Sequence, residues 1–399
     1  MRVCGIICEY NPFHNGHAYH LARAKVLSRA DYTVCVMSGS YTQRGEPALA
    51  DKWSRARMAL LSGADLVVEL PALFAVRPAE DFALGGVAML NALGVSALAF
   101  GSECGDLSAL ENTAARLEEE TPSFLAGLRA ELALGASLAL ARARALEDAL
   151  PPAALDALAQ PNSALAICYL RAMRASGSPM EPILIPRTGG AHHDDAPGPL
   201  ASASAVRAAV ETVRWEDVRA AVPESVYALL RDANEQGRLH LPGALDTALL
   251  AALRTKPVGE IAVLCDVNEG LEYRIQRSAW AAGDREQLLA AVKCKRYTRT
   301  RLSRILCAAQ LGMTRELADR FPAPTYARVL GFRAGARPLL SRLKRIANLP
   351  LVTKTASAGL RDDGCFALDL RATDLWVLGC ASPSARAARR DLLTPPVIV

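Results

Sequence analysis

"VCGIICEYNPFHNGHAYHLARAK", Val3 to Lys25, decides the fold. Its first six residues are continuously apolar. His14, His17 and His20, three of the chain's six histidines, then fall within seven residues. A continuous rather than alternating apolar run reads as a strand buried on both faces, as in a parallel sheet covered by helices. In open α/β sheets, ligands lie outside the carboxyl ends of the strands. A helix starting there offers free N–H groups and the positive end of a dipole, which suit phosphate. Gly16 has no Cβ, so a ligand or a neighbouring backbone can come close. With a helix beginning near Asn15, His14 and His17 point the same way. Two imidazoles so placed can donate hydrogen bonds to phosphate oxygens as charge builds during a displacement. A helix cap or a metal pair is the plainer reading, but an HxGH after a first strand favours nucleotide chemistry. His20, three residues on, shares that face.

Working outward, "YTVCVM" (32–37), "LVVEL" (66–70) and "ALAF" (97–100) read as further buried strands, with helices over 17–30, 51–62 and 80–92. This β-α-β series predicts an α/β, doubly wound, Rossmann-like fold with a parallel sheet. Residues 106–150 read as long helices interrupted near Thr121-Pro122, and Pro151-Pro152 marks a break. "PILIP" (182–186) reads as a late strand and "SASAVRAAVE" (202–211) as a helix with a serine start. After about residue 220 the alternation fades. The remainder is expected to be mainly helical, with short strands near 261–265 and 350–353. The expected division is therefore a nucleotidyltransferase-like domain over 1–220 and a helical, basic domain over 221–399.

The length of 399 residues and 51% hydrophobic content suffice for two domains. No apolar run reaches the roughly 18 residues of a membrane span. The N-terminus lacks the pattern of a signal peptide, so a soluble cytoplasmic protein is expected. The ten cysteines are scattered and form no CxxC pair, which argues against structural zinc. Cys4 and Cys8, on one strand, would stand about 13 Å apart, too far for a disulfide. Reduced thiols fit a cytosolic protein. The net charge of +5 is mild, but "KCKRYTRTRLSR" (293–304) holds six basic residues and no acidic one. "RVLGFRAGARPLLSRLKR" (328–345) repeats that balance. Such excesses point to a polyanion or, more blandly, to solvated helix faces.

The HxGH pattern resembles the HIGH-type nucleotidyltransferases, which bind ATP and attack its α-phosphate without a P-loop; this chain has no GxxxxGK[ST]. Their second signature, a serine-rich helix start ending in Lys or Arg, is matched by "SASAVR" (202–207), which alone would be only a capped helix. "EYNPFHNGHAYHL", "MSGSYTQRGEPAL", "GADLVVELP", "FGSE", "NEGLEYRI" and "KRYTRTRLSRIL" together resemble one family, the tRNA(Met) cytidine acetate ligases. The resemblance runs from residue 1 to at least residue 310 and is loosest over 106–160. It implies activation of acetate by ATP to acetyl-adenylate and pyrophosphate. Transfer of acetyl to N4 of the wobble cytidine of elongator tRNA(Met) follows, giving N4-acetylcytidine and AMP. The partners implied are acetate and the tRNA anticodon loop. Mg2+ is expected to arrive with the ATP phosphates. The oligomeric state is not legible.

The same resemblance implies site residues. His14 and His17 would be catalytic. The ATP loop would comprise Ile7, Glu9, Tyr10, Asn11, Pro12, Phe13, His14, Asn15, Gly16, His17 and His20. Gly101 would pass close to the nucleotide, and Asn162 would bind it unless it is simply a helix N-cap. Arg187 would neutralise phosphate unless it is a solvated surface arginine. Ser202, Ser204 and Arg207 would hold the leaving pyrophosphate. Ser38, Gly39, Ser40, Gln43 and Arg44 follow the second strand and would contact substrate, or form a plain loop. Lys293, Lys295, Arg296, Arg299, Arg301 and Arg304 would grip the anticodon backbone, with Tyr297 stacking on a base. "AHHDDA" (191–196) resembles a metal cluster to the eye, but adjacent histidines do not share a face, so no dedicated metal site is expected. Two rivals remain. A nucleotidyltransferase acting on a small metabolite would not need 180 further residues with two basic stretches. A non-catalytic RNA-binding protein would not need His14, Gly16, His17, Ser204 and Arg207 intact.

Overall fold

A computed structural model describes residues 1–119, 121–136, 138–147, 150, 152–187, 202–360 and 364–399. The "AHHDDA" segment lies outside the described residues.

The apolar runs form the centre of one eight-stranded sheet. β1 (Val3–Cys8), β2 (Tyr32–Ser38), β3 (Leu66–Leu70), β4 (Ala97–Ser102) and β5 (Glu181–Pro186) are parallel, in the order β5-β4-β1-β2-β3. Side chains of β1–β3 alternate between two cores, one per face. Val3, Ile7, Val34, Val36, Leu66 and Val68 face one; Cys4, Ile6, Cys35, Met37 and Val67 face the other. Each such buried aliphatic contributes roughly 1.5–3 kcal/mol. β5 alternates in burial, as an edge strand should. The helices α1 (Asn15–Leu27), α2 (Lys52–Leu61), α3 (Ala72–Ala75) and α4 (Ala79–Ala92) connect the strands. Each begins beyond the carboxyl end of the strand before it or soon after. Strand order reverses at β1/β4, and that crevice is the ligand position of such folds. All ten cysteines are free, and Cys4 and Cys8 sit on β1.

Residue 220 is not where the sheet stops, which corrects the expected division on one point. "ARVLGF" forms β6 (Ala327–Phe332), antiparallel to β3. β7 (Leu351–Val352) and β8 (Val397–Ile398) pair with the two ends of β6. The expected strand over 261–265 is instead the helix Val258–Ala262, started by Pro257. Leu264 keeps only one bridge, to Thr314. A third core, built mostly by helical residues between Leu249 and Ala309, carries the basic segment.

The reading of 328–345 as a surface basic patch also needs correction at its first residue. Arg328 is 2% exposed. It pairs with Glu69 of β3 (3.3 Å) and with Asp391, while Lys52 Nζ lies 2.7 Å from both Glu69 and Asp391. Two cations and two carboxylates therefore balance in the interior, joining α2, β3, β6 and the C-terminal segment.

Candidate active site

His14 is the N-cap of α1. Its Nδ1 accepts the Gly16 N–H (3.1 Å), and His17 Nδ1 accepts the His14 N–H (3.3 Å). The His17 and Ala18 N–H groups donate to His14 O. The first turn thus spends these donors internally, which corrects the expectation of a bare helix start. An Nδ1 that accepts is not protonated, so both neutral rings carry their proton on Nε2. The rings stack at 3.7 Å and 28°. Phe13 is fully buried and, with Tyr10, packs against His17. Burial pushes the His14 and His20 pKa values down to about 4, helped by the Arg187 guanidinium. His17 is held well below the usual histidine range by burial and by the adjacent His14. All three are neutral donors at neutral pH.

The other elements close round this turn. Arg187 follows β5, its N–H bonded to Ser102 O at the end of β4 (3.0 Å). A Cβ on Gly101 would stand 3.6 Å from Arg187 Cγ and 3.7 Å from His20 Cδ2, so Gly101 floors the gap between them. The buried His20 Nε2 has no hydrogen-bond partner among the described residues. Ser202 caps the helix Ala203–Glu211, accepting from the Ala205 N–H (3.1 Å), and its hydroxyl meets Ser204 (2.8 Å). Arg207, one turn on, reaches Asn11 O (2.7 Å) in the histidine loop. The serine helix and the histidine loop, far apart in sequence, are thus in direct contact. Asn15 Nδ2 bonds to Ala220 O (3.0 Å). The site's donors, namely imidazole Nε2 groups, Arg187, Arg207 and serine hydroxyls, fit the phosphates of a nucleotide rather than a metal ion.

Asn162 is not an N-cap. Gln160 occupies that position in the helix Pro161–Ala175, and Asn162 Nδ2 donates to Glu103, whose other oxygen accepts the Ser163 N–H (2.8 Å). Glu9, in the loop after β1, accepts the Gln43 N–H; burial pushes its carboxyl up. Ile7 faces the core, Asn11 Oδ1 accepts the Leu49 N–H (2.7 Å), and the Asn11–Pro12 peptide is cis.

Ser38 ends β2 and Ser40 lies in the loop after it; both are buried, and Ser40 Oγ meets Thr373 (3.1 Å), so Ser40 braces the loop from within. Gln43 Nε2 donates to Arg77 O (2.9 Å). Gly39 and Arg44 lie on the same loop, Arg44 exposed at its tip. Sequence reasoning missed Arg55, fully buried on α2. It donates to Glu9 O (2.6 Å), Ala50 O (3.1 Å), Ser38 O (3.1 Å) and Gly39 O, tying the loops after β1 and β2 together. Its only sequence signal is an arginine on a helix apolar on several sides.

The basic segment meets this site directly. Gly45 has φ +72°, and a Cβ there would lie 2.6 Å from the Arg304 backbone in the helix Arg299–Leu311. Ser303 Oγ donates to Arg44 O (2.6 Å). The segment's arginines are engaged: Arg296 with Glu269 (2.8 Å), Arg299 with Glu286, Arg301 with Asn268 (2.6 Å), Arg304 with Asp266 (3.3 Å). Lys293 and Lys295 are exposed and make no ion pair among the described residues. The expected stacking role of Tyr297 is corrected. Its ring is 7% exposed in the third core, its hydroxyl bonds to Glu269, and Arg301 covers it.

The pattern of the HIGH Nucleotidyl Transferase family matches residues 1–391. A tRNA(Met) cytidine acetate ligase of Lysinibacillus sphaericus is 36% identical over the whole of both chains. Another of that name, from a Thermoanaerobacter species, is 38% identical over 99% of each. A crystal structure of Thermotoga maritima TmcAL bound with alpha-thio ATP superposes with a TM-score of 0.93, at 33% identity and full coverage of both chains. The apo form of that protein superposes with 0.94.

Proposed function

The chain belongs to the HIGH nucleotidyl transferase family and, within it, to the tRNA(Met) cytidine acetate ligases; from that premise we propose how its residues carry out ATP-dependent acetylation of tRNA(Met) cytidine. ATP lies in the crevice between β1 and β4, over Gly101. An acetate oxygen attacks the α-phosphorus. The bond from that phosphorus to its bridging oxygen breaks, and pyrophosphate leaves with the electron pair. His14 and His17 donate Nε2–H to phosphate oxygens as charge accumulates, and Arg187 neutralises the same region. His20 Nε2 completes the set. Ser202, Ser204 and Arg207 hold the departing pyrophosphate.

Acetyl-adenylate is the product of this half. N4 of the cytidine then attacks the acetyl carbon, the bond to AMP breaks, and N4 sheds a proton. The cytosine amine is a weak nucleophile, so a held, activated donor carries most of the rate. Mg2+ would be held by the ATP phosphates, whose negative charge it would offset. The loop after β2 presents acetate or the cytosine, and Lys293 and Lys295 meet the anticodon-loop backbone. The protein works in the cytoplasm, where its substrates are; no helix among the described residues is long and apolar enough to cross a membrane.

One observation carries this reading: stacked His14 and His17, tautomers fixed by backbone N–H groups, stand beside Arg187 with Arg207 bonded into the same loop. The test is incubation with ATP, Mg2+, labelled acetate and unmodified elongator tRNA(Met), followed by nuclease digestion and mass spectrometry. Labelled N4-acetylcytidine at the wobble position is expected. Acetate-dependent AMP release without it would overturn the acceptor, and no acetate-dependent turnover would overturn the activation step.

A further inference from the structure

The helix Leu271–Ala281 buries Leu271, Ile275 and Ala279 in the third core. At about 100° per residue, Tyr273, Arg277 and Trp280 fall within about 60° of one another on the opposite side. Tyr273 is 61% and Trp280 62% exposed, while the other three tryptophans, Trp53, Trp215 and Trp376, are buried. Neither exposed ring belongs to a core. A lone apolar side chain at the surface needs no explanation, but two aromatic rings flanking an arginine on one helix side form a patch. Nothing in the adenylation chemistry uses it.

The charge around these rings is positive and not answered by carboxylates. Arg277 is exposed and makes no ion pair among the described residues. Arg254 donates to Ala279 O (2.8 Å) and Ala282 O (2.7 Å), on either side of Trp280. Arg274 donates to Ala291 O (3.1 Å) and Lys293 O (3.2 Å), which seats the Tyr273 end of the helix beside the exposed Lys293 and Lys295. Bonds to carbonyl oxygens leave both guanidinium charges in place. Glu272, the helix's one carboxylate, lies about 140° round the axis from Arg277. The Trp280 end is tied to the site: Arg285, which opens the next helix (Arg285–Val292), donates to Gly45 O (3.3 Å) in the loop after β2. The patch thus continues the surface of the two lysines proposed to meet the anticodon-loop backbone.

Aromatic rings among uncompensated arginines match the chemistry of a single-stranded nucleic acid, whose bases offer π-faces and whose phosphates answer the cations. A second copy of this chain would instead bring the same arginines together across a two-fold axis. We propose that Tyr273 and Trp280 are stacking platforms for unpaired nucleotides of the tRNA other than the reacting cytidine, with Arg277 on the phosphate between them. The rings stand about 10 Å apart along the helix, too far to clasp one base and spaced for two. The choice of RNA as occupant rests on the acetylation reading above.

The test uses the full chain and unmodified elongator tRNA(Met). Trp280 is the one exposed tryptophan, so acrylamide quenching of tryptophan fluorescence reads it selectively. Bound tRNA is expected to shield that fluorescence, and Trp280→Ala to abolish the shielded component. Tyr273→Ala and Trp280→Ala should each raise KM for tRNA about tenfold, the scale of one lost base–aromatic stack. Acetate-dependent ATP–pyrophosphate exchange should hold in both. Trp280→Phe should keep most of the wild-type affinity; Trp280→Leu, apolar but without a ring, should not. Unchanged tRNA affinity in both alanine variants, or a leucine variant as good as the phenylalanine one, would overturn the proposal while leaving acetylation standing. So would a sedimenting dimer that Trp280→Ala splits with tRNA affinity unmoved, which would give the patch to a second copy. A wild-type chain whose Trp280 is shielded by tRNA, but which fails to acetylate it, would overturn the functional reading and leave the platform in place.

Discussion

His14 and His17 owe their chemistry to what their Nδ1 atoms accept. With both Nδ1 atoms spent on backbone N–H groups, the rings are donors without being charged. Replacing either by alanine should lower acetate-dependent ATP–pyrophosphate exchange by about 10²–10³-fold, the scale of losing one preorganised donor. Unaltered circular dichroism would show that the fold survives. The same burial has a stability consequence. His14, His20 and His240 titrate near 4 when folded, against 6.5 for the ordinary histidine value. The unfolded chain binds more protons between those values, so stability should fall as pH drops from about 6.5 to about 4. Urea midpoints measured across that range check the sign, and a rising midpoint would contradict it. Gly101→Ala is the complementary case. A methyl group there meets only ordinary contacts at 3.6 Å and beyond, so the thermal midpoint should hold while KM for ATP rises at least tenfold. The HxGH spacing was legible because both residues lie in one turn. The tautomers were not, since they depend on which backbone N–H each Nδ1 accepts once the turn has formed. Arg55 was not legible either, because its partners are carbonyls of two separate loops.

At the scale of elements, the parallel strands were legible because each is apolar throughout and each is followed by helical spacing. β6 was not. Arg328 inside "ARVLGF" made the stretch look like part of a basic surface, and only Glu69 and Asp391 explain its burial. The helix Arg299–Leu311 shows the same limit. Its charges were countable, yet most answer carboxylates that lie elsewhere in sequence. The two exposed lysines are therefore the better test of RNA binding. Lys293→Glu with Lys295→Glu should leave ATP–pyrophosphate exchange intact and reduce transfer to tRNA. The salt dependence of tRNA binding should also flatten, by about 0.7 in log–log slope for each phosphate that is no longer neutralised. An unchanged slope would place the RNA elsewhere.

At the scale of the molecule, chain order and spatial order diverge. The expected break near residue 220 followed the fading of strand–helix alternation, a local property. The return of β6 to β3 is a long-range pairing that no local pattern encodes. The cluster of Lys52, Glu69, Arg328 and Asp391 makes that return specific. Asp391→Ala would leave two buried cations facing one carboxylate, and a loss of about 3–5 kcal/mol is expected from urea denaturation. A loss under about 1 kcal/mol would mean that water or a neighbour replaces the carboxylate.

The antiparallel seam between β3 and β6 bears on biosynthesis. A ribosome delivers β1 to β4 and their helices early, so the parallel half can assemble while translation continues. During that interval the flank of β3, the wholly buried "LVVEL" run, has no neighbour and offers unpaired amides to any other strand in the cell. Glu69 waits there as well, with Lys52 its ion-pair partner until Arg328 emerges. That charge in mid-strand penalises pairing with an apolar stranger and favours the late arrival that carries its counterion.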